Sequence, residues 1–316
     1  MSELVRRERA RVNGGELLRL LLADKRSAST KRAYAADLRD FFGEELSPQE
    51  VERFVTLPPV EISRLLTTYK SELLGRGLAE ATVNRRLAAL RSLLKFCYRL
   101  GWSQTDGRSL VEGERVVAYR DTRGVSTEIV KKLFAAADTR DLTGLRDVAL
   151  LRLLCENALR RAEVCSLSIA DFRPEEKRLF VLGKGKGTQK EPETLSDRAV
   201  EALNRYVAAA GHGSDPEAPL LRNVDPRPEY NGLRLTGDGI YHIVRDLGAR
   251  VGVPTLTPHK LRHTAITIAL DLTDGNVRAV RDLSRHARLE TLQRYDDNRR
   301  NFQGSVSDRL SDLFDE

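Results

Sequence analysis

The chain has 316 residues and carries 53 Lys and Arg against 46 Asp and Glu, a formal net charge of +7. That length is enough for two domains and a sizeable core; with no run of about 18 apolar residues no transmembrane helix is expected, and the start, MSELVRRERA, lacks the apolar stretch of a signal peptide. The three cysteines, Cys97, Cys155 and Cys165, are odd in number, sit in apolar helical patterns and show no CxxC or Cys/His spacing, which predicts reduced thiols, a cytoplasmic chain and no zinc site.

Residues 1–24 read as an N-terminal extension. Residues 25–102 read as a compact helical domain. Ser27-Ala28-Ser29-Thr30 offers an N-cap, after which Tyr34, Leu38, Phe41 and Phe42 recur at helical spacing. A second helix is expected from about Val60 to Leu74, after Pro58-Pro59. A third runs from about Ala79 to Leu100, with Leu87, Leu90, Leu94 and Tyr98 as its apolar stripe and Gly101 as its stop. Residues 103–124 are polar, contain glycine and lack helical periodicity, so they read as an interdomain linker.

The charge is uneven. Residues 1–120 hold 22 Lys and Arg against 16 Asp and Glu, whereas residues 121–316 hold 31 against 30. A basic N-terminal third suits a polyanion such as DNA; a solvated basic surface is the alternative. Lys31, Tyr34, Asn84, Arg85, Arg86 and Arg91 are the side chains placed to line a DNA-facing helical surface.

A second domain is expected over 125–316, starting at the Ser126-Thr127-Glu128 helix signal. It holds an apolar helix at about 143–157 and a short one at 161–167. Arg178–Leu182 reads as a strand, Gly183-Lys184-Gly185-Lys186-Gly187 as its turn, and a return strand follows. From about 197 onward the pattern is helical, and Val306, Leu310, Leu313 and Phe314 place a last helix at 305–314.

Several polar residues recur along this domain. Asn157-Ala158-Leu159-Arg160-Arg161-Ala162-Glu163 follows the apolar helix. Arg160 can point into a cleft there while Glu163 holds its neighbours; a salt-bridged structural arginine is the alternative. Lys184 sits at a hairpin tip. In Thr257-Pro258-His259-Lys260-Leu261-Arg262-His263, Thr257 can cap and Pro258 suits the first helical turn, which makes His259 and Arg262 neighbours on one face. His263 is one residue off that face and reads as a bystander. Ser284-Arg285-His286 precedes Tyr295, which stands among Arg294, Asp296 and Asp297. Nine residues of unbroken helix span about 13–14 Å, so His286 and Tyr295 share one ligand only if the chain bends.

In this order and spacing, ALRRAE, LGKGKG, HKLR, RH and QRY, the chain resembles the tyrosine recombinase family of phage integrases and Xer-type recombinases, over most of residues 125–300. The resemblance implies a mainly α fold with a small β-sheet, in which an N-terminal helical, SAM-like core-binding bundle precedes a mixed α/β tyrosine recombinase catalytic domain. It implies Tyr295 as nucleophile forming a 3′-phosphotyrosyl link, Arg160 and Arg262 on the non-bridging oxygens, and Lys184 as proton donor to the leaving oxygen, with Lys186 as its rival. His259 is then a general base or hydrogen-bond partner, and His286 a phosphate contact. Neither metal nor other cofactor is implied. The partners implied are double-stranded DNA with specific sites and further copies of the chain in a tetramer on that DNA, with room for a second recombinase. Xer-type exchange through a Holliday junction is the leading reading. A mobile-element integrase, a type IB topoisomerase-like enzyme and a catalytically silent DNA-binding protein are its competitors. The chain departs from the family pattern at Ala158 and Arg285, where the family has glycine, and in a hairpin about two residues longer.

Overall fold

A computed structural model describes residues 14–25, 27–116, 124–137, 140–183, 187–286, 292 and 302–314. The chain forms two compact units, Met1–Tyr119 and Arg120–Glu316.

The first unit is helical: α1 (Gly14–Ala23), α2 (Ala28–Phe42), α3 (Pro48–Thr56), α4 (Pro59–Gly75) and α5 (Glu80–Arg99). Ser27 caps α2 through the Thr30 N–H, and Gly43 ends it at φ +90. Along α5, Val83, Leu87, Leu90, Leu94 and Cys97 are fully buried, each aliphatic side chain contributing about 1.5–3 kcal/mol. Tyr98, expected in that stripe, is half exposed, because the buried face passes through Cys97. Phe41, Phe42, Phe54 and Tyr69 pack edge-on at centroid distances of 4.8–5.4 Å.

Two boundaries differ from expectation. Leu17 and Leu21 of α1 are fully buried in the core of this unit, so residues 14–23 belong to the bundle rather than to an extension. The polar stretch after Gly101 is fastened to it as well. Asn84 donates to Glu114 O (2.8 Å) and accepts from the Glu114 N–H (2.7 Å), and Ser63 Oγ donates to Leu110 O (2.7 Å). Residues 103–114 therefore lie on the bundle, bound by backbone groups that hydropathy does not register.

The second unit is built on α7 (Leu142–Cys155), whose Leu150, Leu151, Leu153 and Leu154 are all fully buried. Around it lie α6 (Thr127–Ala137), α8 (Arg161–Ser166), α9 (Asp197–Ala210) and α10 (Gly237–Arg250). An antiparallel sheet runs in the order β1 (Phe172–Arg173), β2 (Arg178–Leu182), β3 (Lys190–Thr194). Leu182 pairs with Lys190 at the top of the β2–β3 hairpin, and Pro192 is tolerated because β3 is an edge strand. Then come α11 (Pro258–Leu272), α12 (Val277–Ser284) and α13 (Phe302–Phe314). A smaller core of Ala158, Ala265, Ile266, Leu270, Val280 and Leu292 packs α11 and α12 together. Where this unit begins, a Cβ on Gly124 would stand 2.4 Å from the Thr264 backbone, and Thr264 Oγ1 accepts the Val125 N–H at 2.9 Å. Among the described residues no helix is long and apolar enough to cross a membrane.

Candidate active site

Beyond α7 the chain turns through Ala158, wholly buried and in the left-handed region at φ +46. That conformation costs a side chain about 1–2 kcal/mol. Arg160 is the N-cap of α8. Glu163, in the first turn, accepts the Arg160 backbone N–H at 2.8 Å and Arg160 Nη1 at 2.6 Å. One buried carboxylate thus sets both the backbone and the head group of Arg160.

Thr257 caps α11 by accepting the Lys260 N–H at 3.1 Å, with Pro258 in the first turn as its sequence predicts. Arg262 is 2 % exposed. It donates to Ala158 O and to Ser284 O, and its Nη2 lies 3.5 Å from His286 Nε2. These are carbonyls rather than carboxylates, so they satisfy the guanidinium's donors without cancelling its charge.

Helix α12 ends at Ser284 because Arg285 takes the left-handed conformation, φ +53 and ψ +41. His286 therefore stands beyond the end of α12. Arg160 Nη2 reaches Arg285 O at 3.4 Å. His286 Nδ1 stands 2.8 Å from Ser284 Oγ, which stands 3.4 Å from Arg281 O. One assignment satisfies all of these groups. Arg262 donates to Nε2, Nδ1–H donates to Ser284, and the serine hydroxyl donates to Arg281 O. Burial first, and then the charges of Arg262 and Arg160, lower the His286 pKa to about 4.

Arg160, Arg262 and His286, read from three separate motifs, therefore meet around two stretches of backbone, 157–160 and 284–286. Among the described residues, the guanidiniums of Arg160 and Arg285 meet the carboxylates of Glu163 and Glu193, and that of Arg262 donates to carbonyls. Burial raises the Glu163 carboxyl, but the charge of Arg285 and the hydrogen bonds from Arg160 outweigh it and the net shift is downward. A site where three guanidiniums converge suits an anionic oxygen.

The remaining candidates fall out differently. His259 is exposed, and its ring lies edge-on to that of His263 at 4.2 Å. His263, read from sequence as a bystander, is buried against it. Lys184, Lys186 and Tyr295 lie outside the described residues. Leu292, three residues before Tyr295, is fully buried with Ala158 and Ile266. Sequence reasoning missed Arg285, whose only signal was a departure from pattern.

Four residues of the expected DNA-facing row have partners within the helical unit. Asn84 and Arg91 hold the backbone of Glu114 and Val111. Arg85 pairs with buried Asp37, and Arg86 pairs with Asp40, which also accepts from Arg76 and Tyr69. Each side chain is engaged within the unit by a partner 20–48 residues away. Lys31 and Tyr34 are half-buried, with Lys25 Nζ 5.5 Å from the Tyr34 ring.

Residues 125–301 match the model of the phage integrase family, and residues 16–101 match that of the phage integrase N-terminal SAM-like domain. The chain is 43 % identical to tyrosine recombinase Synpcc7942_B2651 of Synechococcus elongatus, covering 96 % of this chain and 95 % of that one. It is 42 % identical to tyrosine recombinase slr0733 of Synechocystis sp., covering 94 % and 95 %. Among solved structures, the fold is similar to that of XerH site-specific recombinase bound to its difH substrate, with a TM-score of 0.63 at 17 % identity over 96 % of this chain and 94 % of that one. It is also similar to that of the Tn1549 transposon integrase in complex with transposon right end DNA, with a TM-score of 0.63 at 14 % identity over 95 % and 99 %.

Proposed function

Since the chain belongs to the phage integrase family of tyrosine recombinases, we propose that it cuts and rejoins DNA at specific sites through Tyr295. The observation that carries this reading is the meeting of Arg160, Arg262 and His286 around the backbone of 157–160 and 284–286. Tyrosine has a pKa near 10, so attack at neutral pH needs assistance. In this reading the Tyr295 oxygen attacks the scissile phosphorus and the bond to the 5′ oxygen breaks. Lys184 supplies that oxygen's proton, with Lys186 as its rival on the same turn. His259 takes up the tyrosine proton or hydrogen-bonds the phosphate. Arg160 and Arg262 hold the non-bridging oxygens, where charge builds in the transition state.

The 3′-phosphotyrosyl link conserves the energy of the broken bond. A 5′ hydroxyl from a partner strand then reverses the step and completes the exchange through a Holliday junction. Burial of Leu292 beside Ala158 supports the assignment of Tyr295, since three residues of chain span no more than about 10 Å. The names of the similar solved complexes support DNA sites as the substrate. In the helical unit, Lys31 and Tyr34 remain the candidates for positioning DNA. Assembly into a tetramer on two sites belongs to the same reading. It is supported by Leu310, Leu313 and Phe314 of α13, which are 45 %, 64 % and 77 % exposed and offer an apolar contact for another copy.

A nicked suicide substrate resolved on a denaturing gel tests the chemistry. The parent chain is expected to form a covalent protein–DNA adduct, and Tyr295→Phe is expected to form none while still binding DNA. An adduct that survives the substitution removes Tyr295 from the mechanism. Junction formation between two specific sites, rather than sequence-tolerant relaxation, separates exchange from a topoisomerase activity.

A further inference from the structure

Arg285 is an arginine where the backbone favours glycine. Its φ of +53 places a long side chain in the left-handed region, where a β-carbon is disfavoured. The side chain does not escape to solvent; it is 7 % exposed. Its guanidinium turns back across the site. Nη2 donates to Asn157 O at 3.1 Å, to Ala158 O at 3.4 Å and to Glu163 Oε2 at 3.3 Å. Nη1 donates to Leu283 O at 2.9 Å and pairs with Glu193 Oε1 at 2.9 Å.

Those partners share a feature. Asn157 and Ala158 form the turn that delivers Arg160. Glu163 is the carboxylate that fixes the Arg160 backbone and head group, and its Oε2 is shared between the Arg160 N–H and Arg285. Glu193 stands on β3, the strand that follows Lys184 and Lys186 in the chain. Arg160 closes the loop by donating to Arg285 O.

From this arrangement we infer that Arg285 is a positioning residue. It clamps the Ala158 turn and Glu163 so that Arg160 is held toward the phosphate, and it ties β3 to the same frame. The inference rests on the phosphate-binding role proposed above for Arg160. Arg285 does not itself touch DNA; it acts through Glu163 and the turn. The left-handed strain at residue 285 persists because these five bonds over-determine it.

The test removes the clamp while sparing the fold. Arg285→Gly suits the local backbone but leaves Glu193 facing Glu163, so it is paired with Glu193→Gln, and rates are referred to Glu193→Gln alone. Adduct formation on saturating suicide substrate is expected to slow about 10- to 100-fold, with the Kd for DNA within about twofold and a cooperative melt retained. Glu163→Gln is expected to cost less in this background than in the parent, because both changes loosen the same arginine. Adduct formation within about twofold of the reference, or an undiminished Glu163→Gln effect, overturns the inference. If the double variant does not fold, Arg285→Lys serves: lysine keeps the charge but cannot fork across both carbonyls and Glu163. A slower Arg285→Lys enzyme with unchanged DNA affinity supports the clamp, and one at the parent rate overturns it. A parent chain that forms no adduct sinks the catalytic reading and this inference together, whereas unchanged variants sink this inference alone.

Discussion

Arginines that meet carboxylates and arginines that meet carbonyls serve different ends in this molecule. In the helical unit Arg85 meets Asp37, while Arg86 and Arg76 meet Asp40. In the second unit Arg262 is satisfied by the carbonyls of Ala158 and Ser284, and Arg160 shares Glu163 with Arg285. A guanidinium matched to a carboxylate is hydrogen-bonded and neutralised. One matched to carbonyls is hydrogen-bonded and still charged. Counting basic residues does not separate these cases. The helical unit has the larger formal excess of charge, yet the described guanidiniums that converge on one point, those of Arg160, Arg262 and Arg285, lie in the nearly neutral second unit.

The sharpest way to break this contrast is Arg262→Lys. Lysine keeps the charge but loses the fork that spans Ala158 O and Ser284 O. Single-turnover adduct formation is expected to fall about 10²- to 10³-fold with DNA affinity largely kept. A rate near the parent's shows that charge alone suffices there.

Arg85→Ala is the counterpart in the helical unit. It strands a carboxylate that is 2 % exposed, and since the arginine itself is 46 % exposed the expected loss is modest, about 1–2 kcal/mol in a denaturant titration. The salt dependence of DNA binding is expected to stay as it is, because Asp37 already matches that guanidinium. A flatter salt slope returns Arg85 to the DNA-contacting set.

The smallest effect concerns His286. Its folded pKa of about 4 lies below the ordinary 6.5, so between those values the unfolded chain binds more protons than the folded one. The stability this contributes is complete above pH 6.5 and is lost as pH falls toward 4. The parent's melting temperature is expected to drop more steeply over that window than that of His286→Gln. Parallel curves contradict a site buried enough, and close enough to Arg262 and Arg160, to keep the imidazole neutral.

Much of the site could be read from the chain because its order is carried by local signals. Thr257 and Pro258 announce the start of α11, Gly101 a helix end, and Arg178–Leu182 a strand. What was not legible depends on partners far along the chain. Nothing near Asn84 reveals that it grips Glu114, thirty residues on. Nothing near Arg85 reveals Asp37, forty-eight residues back. Helix α3 did have a signal that went unused: Ser47-Pro48-Gln49-Glu50 has the form of a capping box, and Ser47 accepts the Glu50 N–H. Arg285 was visible only as an oddity, since a left-handed turn and a buried guanidinium fork leave no periodicity.

The approach of Gly124 to Thr264 bears on how such a chain can be re-engineered. A swap of the N-terminal half for another binding module must leave Gly124 with the half it touches, because any side chain there collides with the Thr264 backbone. It must also leave residues 103–114 with the bundle that Asn84, Ser63 and Lys70 hold them against. The splice point for a chimera is thereby placed after Glu114 and before Gly124, a narrower window than the 22-residue polar stretch suggests.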